Sequence, residues 1–266
     1  MKISLLISTY NWPKALDLVL LSIENQILKP DELLLADDGS TKETTNLINA
    51  FKKKSSISVI HVWQEDNGFQ KTVILNKAIA KSKGDYIIQT DGDCILHPYF
   101  VKDHWLLAKK NMYLFGSRVT IKEEILAKLF QNKKIKFNFF STGIKKRTRT
   151  IRIPFFSIFY KSKMKLSKKM RGCNISYWKK DFIAVNGYNE DMTGWGREDS
   201  ELIIRMMNLG CVGKRIRYCG IVYHIWHPIS SKSNLNKNNQ IQEDAVINKT
   251  LRCENGVDKY LFLKVI

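Results

Sequence analysis

Short apolar runs alternate with segments of helical periodicity through the first 120 residues, and this alternation restricts the possible folds more than any other feature. The apolar runs predict strands at 3–7, 32–36, 57–62 and 85–89. Apolar residues at helical spacing predict the helices between them, beginning at Pro13, after a cap at Ser40 or Thr41, and near Ile74. This order favours an α/β fold, a Rossmann-like, mostly parallel sheet with helices on both faces. Ligands of such sheets bind beyond the carboxyl ends of the strands.

The positive charge of the chain is concentrated in one segment. The sequence has 44 Lys+Arg against 25 Asp+Glu, a net charge of +19. Residues 125–180 contain 17 Lys or Arg and no acid, so the rest of the chain carries only +2. Large aromatic residues, Phe139 and Phe155 among them, are interleaved with these bases. The mixture suits an anionic membrane surface or anionic acceptor. It would also suit nucleic acid, or a solvated face whose aromatics lie in the core.

Composition excludes several classes of protein. Hydrophobic residues make up 44% and charged residues 26%, unlike a disordered chain, a collagen or a coiled coil. No stretch of 18 apolar residues occurs, so we expect no membrane-spanning helix. The first apolar run is interrupted at Ser8, which favours a buried strand over a secretion signal. The five cysteines are odd in number and widely spaced. We therefore expect neither a disulfide framework nor a zinc site, and a cytoplasmic location.

Two acidic clusters follow predicted strands. Asp91-Gly92-Asp93 places two carboxylates one residue apart, where they can face one divalent cation such as Mg²⁺ or Mn²⁺. The alternative is an Asp-Gly turn. Asp37-Asp38-Gly39-Ser40 offers a carboxylate that can accept a hydrogen bond from the imide N–H of a uracil base. Here the alternative is a helix N-cap, and both can hold if Ser40 caps and Asp38 binds.

Two further clusters lie near the C-terminus. Gly194-Trp195-Gly196-Arg197-Glu198-Asp199 combines a tight loop, an indole that can stack on a sugar, and two acids at a helix start. One acid could be the general base that a sugar hydroxyl requires, or both could be helix-start acids beside a core Trp. Tyr223-His224-Ile225-Trp226-His227-Pro228 holds two imidazoles, one of which could complete the metal site of Asp93. A hydrogen-bonded core histidine is the alternative.

In this order, the motifs resemble a family 2 glycosyltransferase of the GT-A fold over about 1–120 and 170–228. The N-terminal motifs are Ser8-Thr9-Tyr10-Asn11, Asp37-Asp38-Gly39-Ser40, Asn67-Gly68-Phe69-Gln70-Lys71, Leu75-Asn76-Lys77-Ala78 and Thr90-Asp91-Gly92-Asp93-Cys94. The C-terminal motifs are Gly172-Cys173-Asn174, Val185-Asn186-Gly187-Tyr188-Asn189-Glu190 and Gly194-Trp195-Gly196-Arg197-Glu198-Asp199. The C-terminal set resembles the chondroitin-polymerase type of bacterial transferase and the C-terminal module of β-1,4-galactosyltransferases.

The resemblance implies an inverting transfer from a UDP-sugar with Mn²⁺ or Mg²⁺, and it assigns roles to residues. Donor-binding residues would be Ser8, Tyr10, Asn11, Asp38, Lys71, Asn76, Asp91 and Trp195. Metal ligands would be Asp93, Asp91 and His224, since His224 matches the family's spacing from the Gly-Trp-Gly loop better than His227. Asp199 would be the catalytic base and Glu198 its partner. Trp195, Glu198 and Arg197 would bind the acceptor, although the family often has Gly where this chain has Arg197.

These assignments predict one compact domain with an insert. Residues 1–120 would bind the nucleotide-sugar, 121–171 would form a basic aromatic insert that aligns with no family motif, 172–230 would bind acceptor and catalyse, and 231–266 would be a tail. The polar segment 230–239 predicts a flexible loop.

The expected activity is transfer of a hexose or N-acetylhexosamine to a hydroxyl of a surface glycan, as in lipopolysaccharide or capsule synthesis. The acceptor could be lipid-linked, with the protein peripheral on the cytoplasmic face of the bacterial inner membrane. A sugar nucleotidyltransferase is the alternative enzyme, but 8–14 lacks a glycine-rich triphosphate loop. A nucleic-acid-binding protein would explain the charge but leave the acidic clusters unused, so we expect no nucleic acid partner.

Overall fold

The apolar run near the start of the chain forms β1 (Ile3–Thr9), which lies inside the larger of two sheets. The computed structural model describes residues 1–228 and 233–261. The other strands of the described chain are β2 (Glu32–Asp37), β3 (Ser58–Trp63), β4 (Tyr86–Asp91), β5 (Cys94–Leu96), β6 (Met112–Phe115), β7 (Ser117–Ile121), β8 (Ile144–Lys145), β9 (Ile175–Trp178), β10 (Val212–Arg215) and β11 (Ile221–His224).

The larger sheet has the order β10-β6-β9-β4-β1-β2-β3. β1 pairs in parallel with β2 and β4, and β2 pairs in parallel with β3. β9 is antiparallel to both β4 and β6, while β10 is parallel to β6. The predicted mostly parallel α/β sheet is confirmed, and the four predicted strands end within two residues of their predicted bounds. A smaller sheet has the order β5-β11-β7-β8.

Helices cover both faces of the larger sheet. In the described chain they are α1 (Pro13–Glu24), α2 (Lys42–Lys54), α3 (Lys71–Ala80), α4 (Phe100–Leu107), α5 (Leu126–Gln131), α6 (Lys179–Ala184), α7 (Glu198–Asn208), α8 (Leu235–Ile247) and α9 (Asp258–Leu261). α1 begins at Pro13, as predicted. α2 follows Thr41, but the Thr41 side chain makes no capping hydrogen bond. Ser40 does not cap α2 either, since its Oγ accepts a hydrogen bond from the backbone N–H of Asn11.

The prediction of a flexible loop at 230–239 is wrong for its second half. Residues 230–232 lie outside the described part of the chain, but Leu235 begins helix α8. The composition misled because polar residues in this helix bond to another segment instead of to solvent. Asn238, fully buried, donates hydrogen bonds to the backbone carbonyls of Thr193 and Gly196.

The core consists of two main apolar layers, one on each face of the larger sheet. Alternate side chains of a strand point to opposite faces, so Leu6 packs in one layer with Leu75 of α3 and Leu202 of α7. Ile7 packs in the other layer with Leu16 of α1. Because both faces of β1 are buried, apolar residues occur on both, with Leu5, Leu6 and Ile7 in succession.

The predicted insert is partly buried in the molecule and partly exposed. Three of its apolar residues, Leu129, Phe137 and Ile144, are buried against the smaller sheet. Others point outward: Phe140 is 82% exposed and Phe159 is 68% exposed. Part of the aromatic content therefore belongs to the core, and the rest forms an apolar surface among the bases. No helix in the described chain is long and apolar enough to span a membrane.

Register brings the polar clusters to one edge of the sheet. Ser8 of β1 lies opposite Asp91 of β4, and Thr9 lies opposite Asp37 of β2. All three strands run in the same direction, so their carboxyl ends meet, and the loops that follow them line one cleft.

Candidate active site

A cavity of about 690 Å³ opens at the carboxyl ends of β1, β2 and β4. Its lining brings together residues from both ends of the chain. Those predicted from the sequence are Ser8, Tyr10, Asp38, Lys71, Asp91, Asp93, Trp195, His224 and His227. We refer to it as the donor cavity, after the donor-binding residues that the resemblance predicts there.

Asp91 is held by two partners at the floor of the donor cavity. Its Oδ1 accepts hydrogen bonds from Ser8 Oγ (2.8 Å) and from Lys71 Nζ (2.8 Å). Burial by itself would lower the pKa of the Lys71 ammonium. The charges of three carboxylates, those of Asp91, Asp199 and Glu198, outweigh burial and raise this pKa well above its ordinary value. Lys71 is therefore a fixed positive charge between the two acidic clusters.

Asp38 occupies a mostly buried position at the end of β2. Its Oδ1 accepts a hydrogen bond from Gln64 Nε2 (2.6 Å) and its Oδ2 accepts one from the backbone N–H of Gln70 (2.9 Å). Burial raises the pKa of the Asp38 carboxyl to about 6, although these two hydrogen bonds lower it. The ring of Tyr10 is half exposed beside it, tethered by a hydrogen bond from its OH to Asp66 Oδ2 (2.8 Å).

Two residues assigned to donor binding point elsewhere. Asn11 Oδ1 accepts a hydrogen bond from the backbone N–H of Thr41 (2.8 Å), so its side chain joins the loop after β1 to the start of α2. Asn76 is fully buried and donates hydrogen bonds to the Tyr188 carbonyl and to Glu190 Oε1, both at 2.8 Å. Neither residue lines the donor cavity, and each instead joins two segments of the fold.

Asp93, His224 and His227 form a compact group of metal-type ligands. One donor atom from each lies within 4.8 Å of the others. His227 Nε2 lies 3.2 Å and His224 Nε2 lies 3.5 Å from Asp93 Oδ2. Burial favours a raised pKa for Asp93, but the His227 hydrogen bond and the charge of His224 lower it to about 2. Both histidines thus reach Asp93, whereas the resemblance had favoured His224 alone.

The donor set fits a divalent cation. One carboxylate with two imidazoles can ligate a divalent metal ion such as Mn²⁺. His224 Nδ1 is buried and accepts or donates no hydrogen bond within the described chain. Asp91 is outside this group in the described chain, because its carboxylate is turned to Ser8 and Lys71.

A second cavity, of about 680 Å³, adjoins the first and contains the other acidic pair. We refer to it as the acceptor cavity, after the acceptor-binding residues that the resemblance predicts there. Glu198, Asp199 and Arg197 line it, and it shares a wall with the donor cavity. The residues common to both cavities are Lys71, Asp91, Arg118 and Trp195. The indole of Trp195, 40% exposed, therefore stands between them.

Asp199 is fixed by a chain of buried hydrogen bonds. Its Oδ1 accepts a hydrogen bond from Tyr188 OH (2.9 Å), which in turn accepts one from Gln89 Nε2 (2.8 Å). Tyr177 OH donates to Gln89 Oε1 (2.8 Å) and completes the chain. Burial raises the pKa of Asp199, while the charge of Lys71 and the hydrogen bonds from Tyr188 and Gly172 oppose this rise.

Glu198 shares the electrostatic environment of Asp199. Its Oε2 accepts a hydrogen bond from the backbone N–H of Gly196 (2.9 Å). Burial, and then the charge of Asp199, raise the pKa of Glu198 to about 7. Two adjacent carboxyls with raised pKa values form a pair suited to accept a proton near neutral pH.

Helix α8 holds the loop that carries Trp195 and Arg197. Asn238 bonds to two loop carbonyls, and Asn234 Nδ2 donates to Thr193 Oγ1 (3.0 Å). Arg197 has φ of 77°, a left-handed conformation that costs energy for a residue with a side chain. Its Nε donates a hydrogen bond to Asn239 Oδ1 (2.6 Å). This bond secures the arginine at the position where the family often has glycine.

Sequence reasoning missed three parts of the site. Arg118 of β7 lines both cavities, and no motif marked it. The asparagines of α8 were read as loop residues because they are polar. Gln89 had a visible signal, since it is a polar residue directly after the apolar residues Ile87 and Ile88 of β4.

Solved structures of other proteins share this fold. Staphylococcus aureus TarS 1–349 is similar with a TM-score of 0.63, over 98% of this chain and 68% of that chain, at 14% identity. The mannosyltransferase PcManGT from Pyrobaculum calidifontis, solved with GDP-Man and Mn²⁺, has a TM-score of 0.57 over 84% of this chain and 56% of that one, at 16% identity. The fold is therefore of the GT-A type.

The chain belongs to glycosyltransferase family 2. The profile described as glycosyl transferase family 2 matches residues 4–166, and one described as the N-terminal domain of galactosyltransferase matches 154–228. Chondroitin synthase of Escherichia coli is 24% identical over 84% of this chain. Hyaluronan synthase of Pasteurella multocida is 26% identical over 99% of it. This chain spans only 34% and 28% of the lengths of those two relatives.

Proposed function

We propose that this protein is an inverting, metal-dependent transferase that moves a hexose or N-acetylhexosamine from a UDP-sugar to a hydroxyl of a glycan acceptor. One observation carries the proposal. A metal-type ligand set lies in one cavity, an acidic pair lies in the next, and the wall between them is shared. This arrangement fits a leaving diphosphate on one side of a sugar and a general base on the other.

The donor would bind along the carboxyl ends of β1, β2 and β4. The Asp38 carboxylate, deeply set and aimed by Gln64, suits the imide N–H of uracil. The exposed ring of Tyr10 suits the face of the same base. Ser8 and Asp91 would contact the ribose, whereas Asn11 and Asn76 would hold the surrounding segments in place.

Charge on the departing diphosphate would be balanced at the shared wall. Asp93, His224 and His227 would hold Mn²⁺ or Mg²⁺, which when bound neutralises negative charge on a leaving diphosphate. The ammonium of Lys71 and the guanidinium of Arg118 line the same cavity and add fixed positive charge. Preorganised charges of this kind lower the barrier without reorganising during the reaction.

The acceptor hydroxyl would be activated by Asp199. Its carboxylate takes the hydroxyl proton as the acceptor oxygen bonds to the anomeric carbon. The bond from that carbon to the phosphate oxygen breaks, and UDP leaves. Attack from the opposite face inverts the anomeric configuration, so no protein nucleophile is needed. Trp195 would stack on the sugars, and Glu198 and Arg197 would bind acceptor hydroxyls.

We further infer a role in the synthesis of a bacterial surface polysaccharide, such as lipopolysaccharide or capsule. A short 3₁₀ segment, Pro154–Phe159, exposes Phe155 (65%) and Phe159 (68%). Lysines at 161, 163 and 165 follow directly. Exposed aromatics beside bases suit peripheral contact with an anionic membrane. Such contact would bring the enzyme to a lipid-linked acceptor on the cytoplasmic face.

The test is UDP release from a panel of UDP-sugars, with and without Mn²⁺. One UDP-sugar should be hydrolysed slowly, only with metal and not by Asp93→Ala. Asp199→Asn should abolish transfer and retain UDP–Mn²⁺ binding by calorimetry, with His97→Gln, outside both cavities, as the matched control. Normal turnover by Asp199→Asn would refute the base. Absence of UDP–Mn²⁺ binding by the unmodified protein would refute the donor.

A further inference from the structure

A third, smaller cavity of about 110 Å³ is walled mainly by bases. We refer to it as the basic cavity. Seven of its ten lining residues are Lys or Arg, and they come from separate parts of the chain. Arg118 belongs to β7 and Arg215 to β10. Lys146 precedes a short helical turn and Arg149 ends it, and Lys169 lies in the segment before Gly172. The fold therefore gathers these charges into one place.

These bases lack acidic partners. In the described chain, no carboxylate forms a salt bridge, at 4.0 Å or less, with a lysine or arginine of this cavity. Elsewhere the same chain neutralises its buried guanidiniums, for example Arg205 with Glu201 and Arg152 with Asp103. Arg215 Nε is buried and donates to no acceptor in the described residues.

The neighbouring positive charges around the basic cavity repel one another. Burial, and then the charges of Arg215 and other arginines, lower the pKa of Arg149. Burial, and then the charge of Arg217, also lower the pKa of Arg215. An uncompensated cluster of this kind is stabilised by an anion that accepts hydrogen bonds from several donors at once.

The basic cavity adjoins the acceptor cavity. Lys168 and Arg171 line both, and Arg118 lines these two and the donor cavity. Lys146, Lys169 and Arg215 line the basic cavity but neither of the others. An anion held by these three residues would thus lie beyond Arg118 from the donor, on the side of Asp199 and the acceptor.

We propose, on the basis of the proposed function, that the basic cavity binds an oxyanion carried by the acceptor, so that the natural acceptor is an acidic saccharide. A phosphate ester or a uronate carboxylate supplies the required chemistry. The cavity has room for one such group. It is lined by Gly, Ser, Asn, Lys and Arg alone among the described residues, with no aromatic ring to stack on a nucleobase and no apolar side chain to meet an acyl chain.

The experiment measures binding of three probes to the full chain saturated with UDP and Mn²⁺. The probes are methyl glucoside, methyl glucoside 6-phosphate and methyl glucuronide. At least one charged probe should bind about tenfold more tightly than the neutral one, since hydrogen bonds to charged groups are stronger than those to neutral groups. The phosphate and uronate arms identify which oxyanion is preferred. Equal binding of all three probes would overturn the proposal.

A pair of double variants locates the site. Lys146→Gln/Lys169→Gln should weaken the charged probe about fivefold or more and leave the neutral probe unchanged. Lys161→Gln/Lys165→Gln, with the same change of net charge outside the basic cavity, should retain binding. Equal losses in both variants would overturn the proposal in favour of diffuse attraction. Loss of anionic-vesicle binding by the first variant alone, with probe binding intact, would assign the cavity to lipid headgroups instead.

The proposed function has a separate readout in the same samples. UDP–Mn²⁺ affinity and slow UDP release should be unchanged in both double variants. Failure of UDP release in the unmodified protein would refute the transferase activity, whereas loss of charge discrimination alone would refute the acidic acceptor.

Discussion

The carboxylate of Asp199 packs directly against the backbone of Gly172, so closely that a Cβ added at Gly172 would overlap it. The backbone N–H of Gly172 also bonds to this carboxylate. A residue 27 positions away in sequence thus sets the position of the proposed base, through its lack of a side chain.

Gly172→Ala is expected to displace Asp199 and to lower the transfer rate about 100-fold, because a displacement of about 1 Å in a catalytic group can cost that much. UDP–Mn²⁺ affinity should stay within about twofold, since the donor contacts lie in the other cavity. Steady-state kinetics and calorimetry measure the two effects, and thermal unfolding checks that the variant folds. An unchanged rate would show that the base is not Asp199.

The transfer rate should fall as the pH is lowered, with an acid limb above the ordinary range of an aspartate, because the pKa of the proposed base Asp199 is raised. Both Glu198 and Asp199 have raised pKa values, and a base accepts a proton only when it is ionised. Because the two groups titrate as a coupled pair, removing one charge makes the other easier to ionise. Glu198→Gln should therefore move the acid limb of kcat/KM to lower pH. If the acid limb does not move, a group outside this pair controls it.

His224→Ala and His227→Ala should each reduce Mn²⁺ affinity about tenfold or more in the presence of UDP, because both imidazoles reach Asp93. Titration of Mn²⁺ by electron paramagnetic resonance measures this loss. His97→Gln, which is not a member of the ligand group, is the control and should bind metal normally. If only one of the two alanine variants loses affinity, the other histidine is a hydrogen-bonding neighbour and not a ligand.

Asn238→Ala should loosen the loop that carries Trp195 and Arg197, since two backbone carbonyls would lose their donor. We expect the free energy of unfolding to fall by about 1–3 kcal/mol, with a larger proportional loss of transfer than of UDP binding. Urea denaturation and kinetics test this. Gln240→Ala on the same helix, which removes only a surface hydrogen bond to Asp244, should change neither quantity.

Phe155→Ser/Phe159→Ser should weaken association with anionic vesicles and leave transfer to an acceptor free in solution unchanged. Both rings are exposed and lie outside the cavities of the site. Vesicle sedimentation measures the association, and Phe137→Leu, which alters a buried ring of the same segment, is the comparison. Undiminished binding to vesicles would remove the membrane contact from the proposal.

The strands of the larger sheet were predictable because each follows from residues that are close together in the sequence. The run at 3–7 is mainly apolar, and the helix after it starts at Pro13, so both the strand and the helix follow from neighbouring residues. The same reasoning failed at α8. There, the polar composition predicted a loop. Asn234 and Asn238, however, form hydrogen bonds with residues about 40 positions earlier, and these tertiary contacts stabilise the polar segment as a helix.

The sequence by itself determined the class of fold, the residue types at the strand ends, and the acidic pair at the start of α7. It could not determine which side chains meet. Asp93 reaches both histidines because β11 pairs with β5, the strand that follows Asp93. Asn76 is withdrawn into the core, and Arg118 joins three cavities through the placement of β7. Such contacts join residues distant in sequence, so only the packing of the complete chain could decide them.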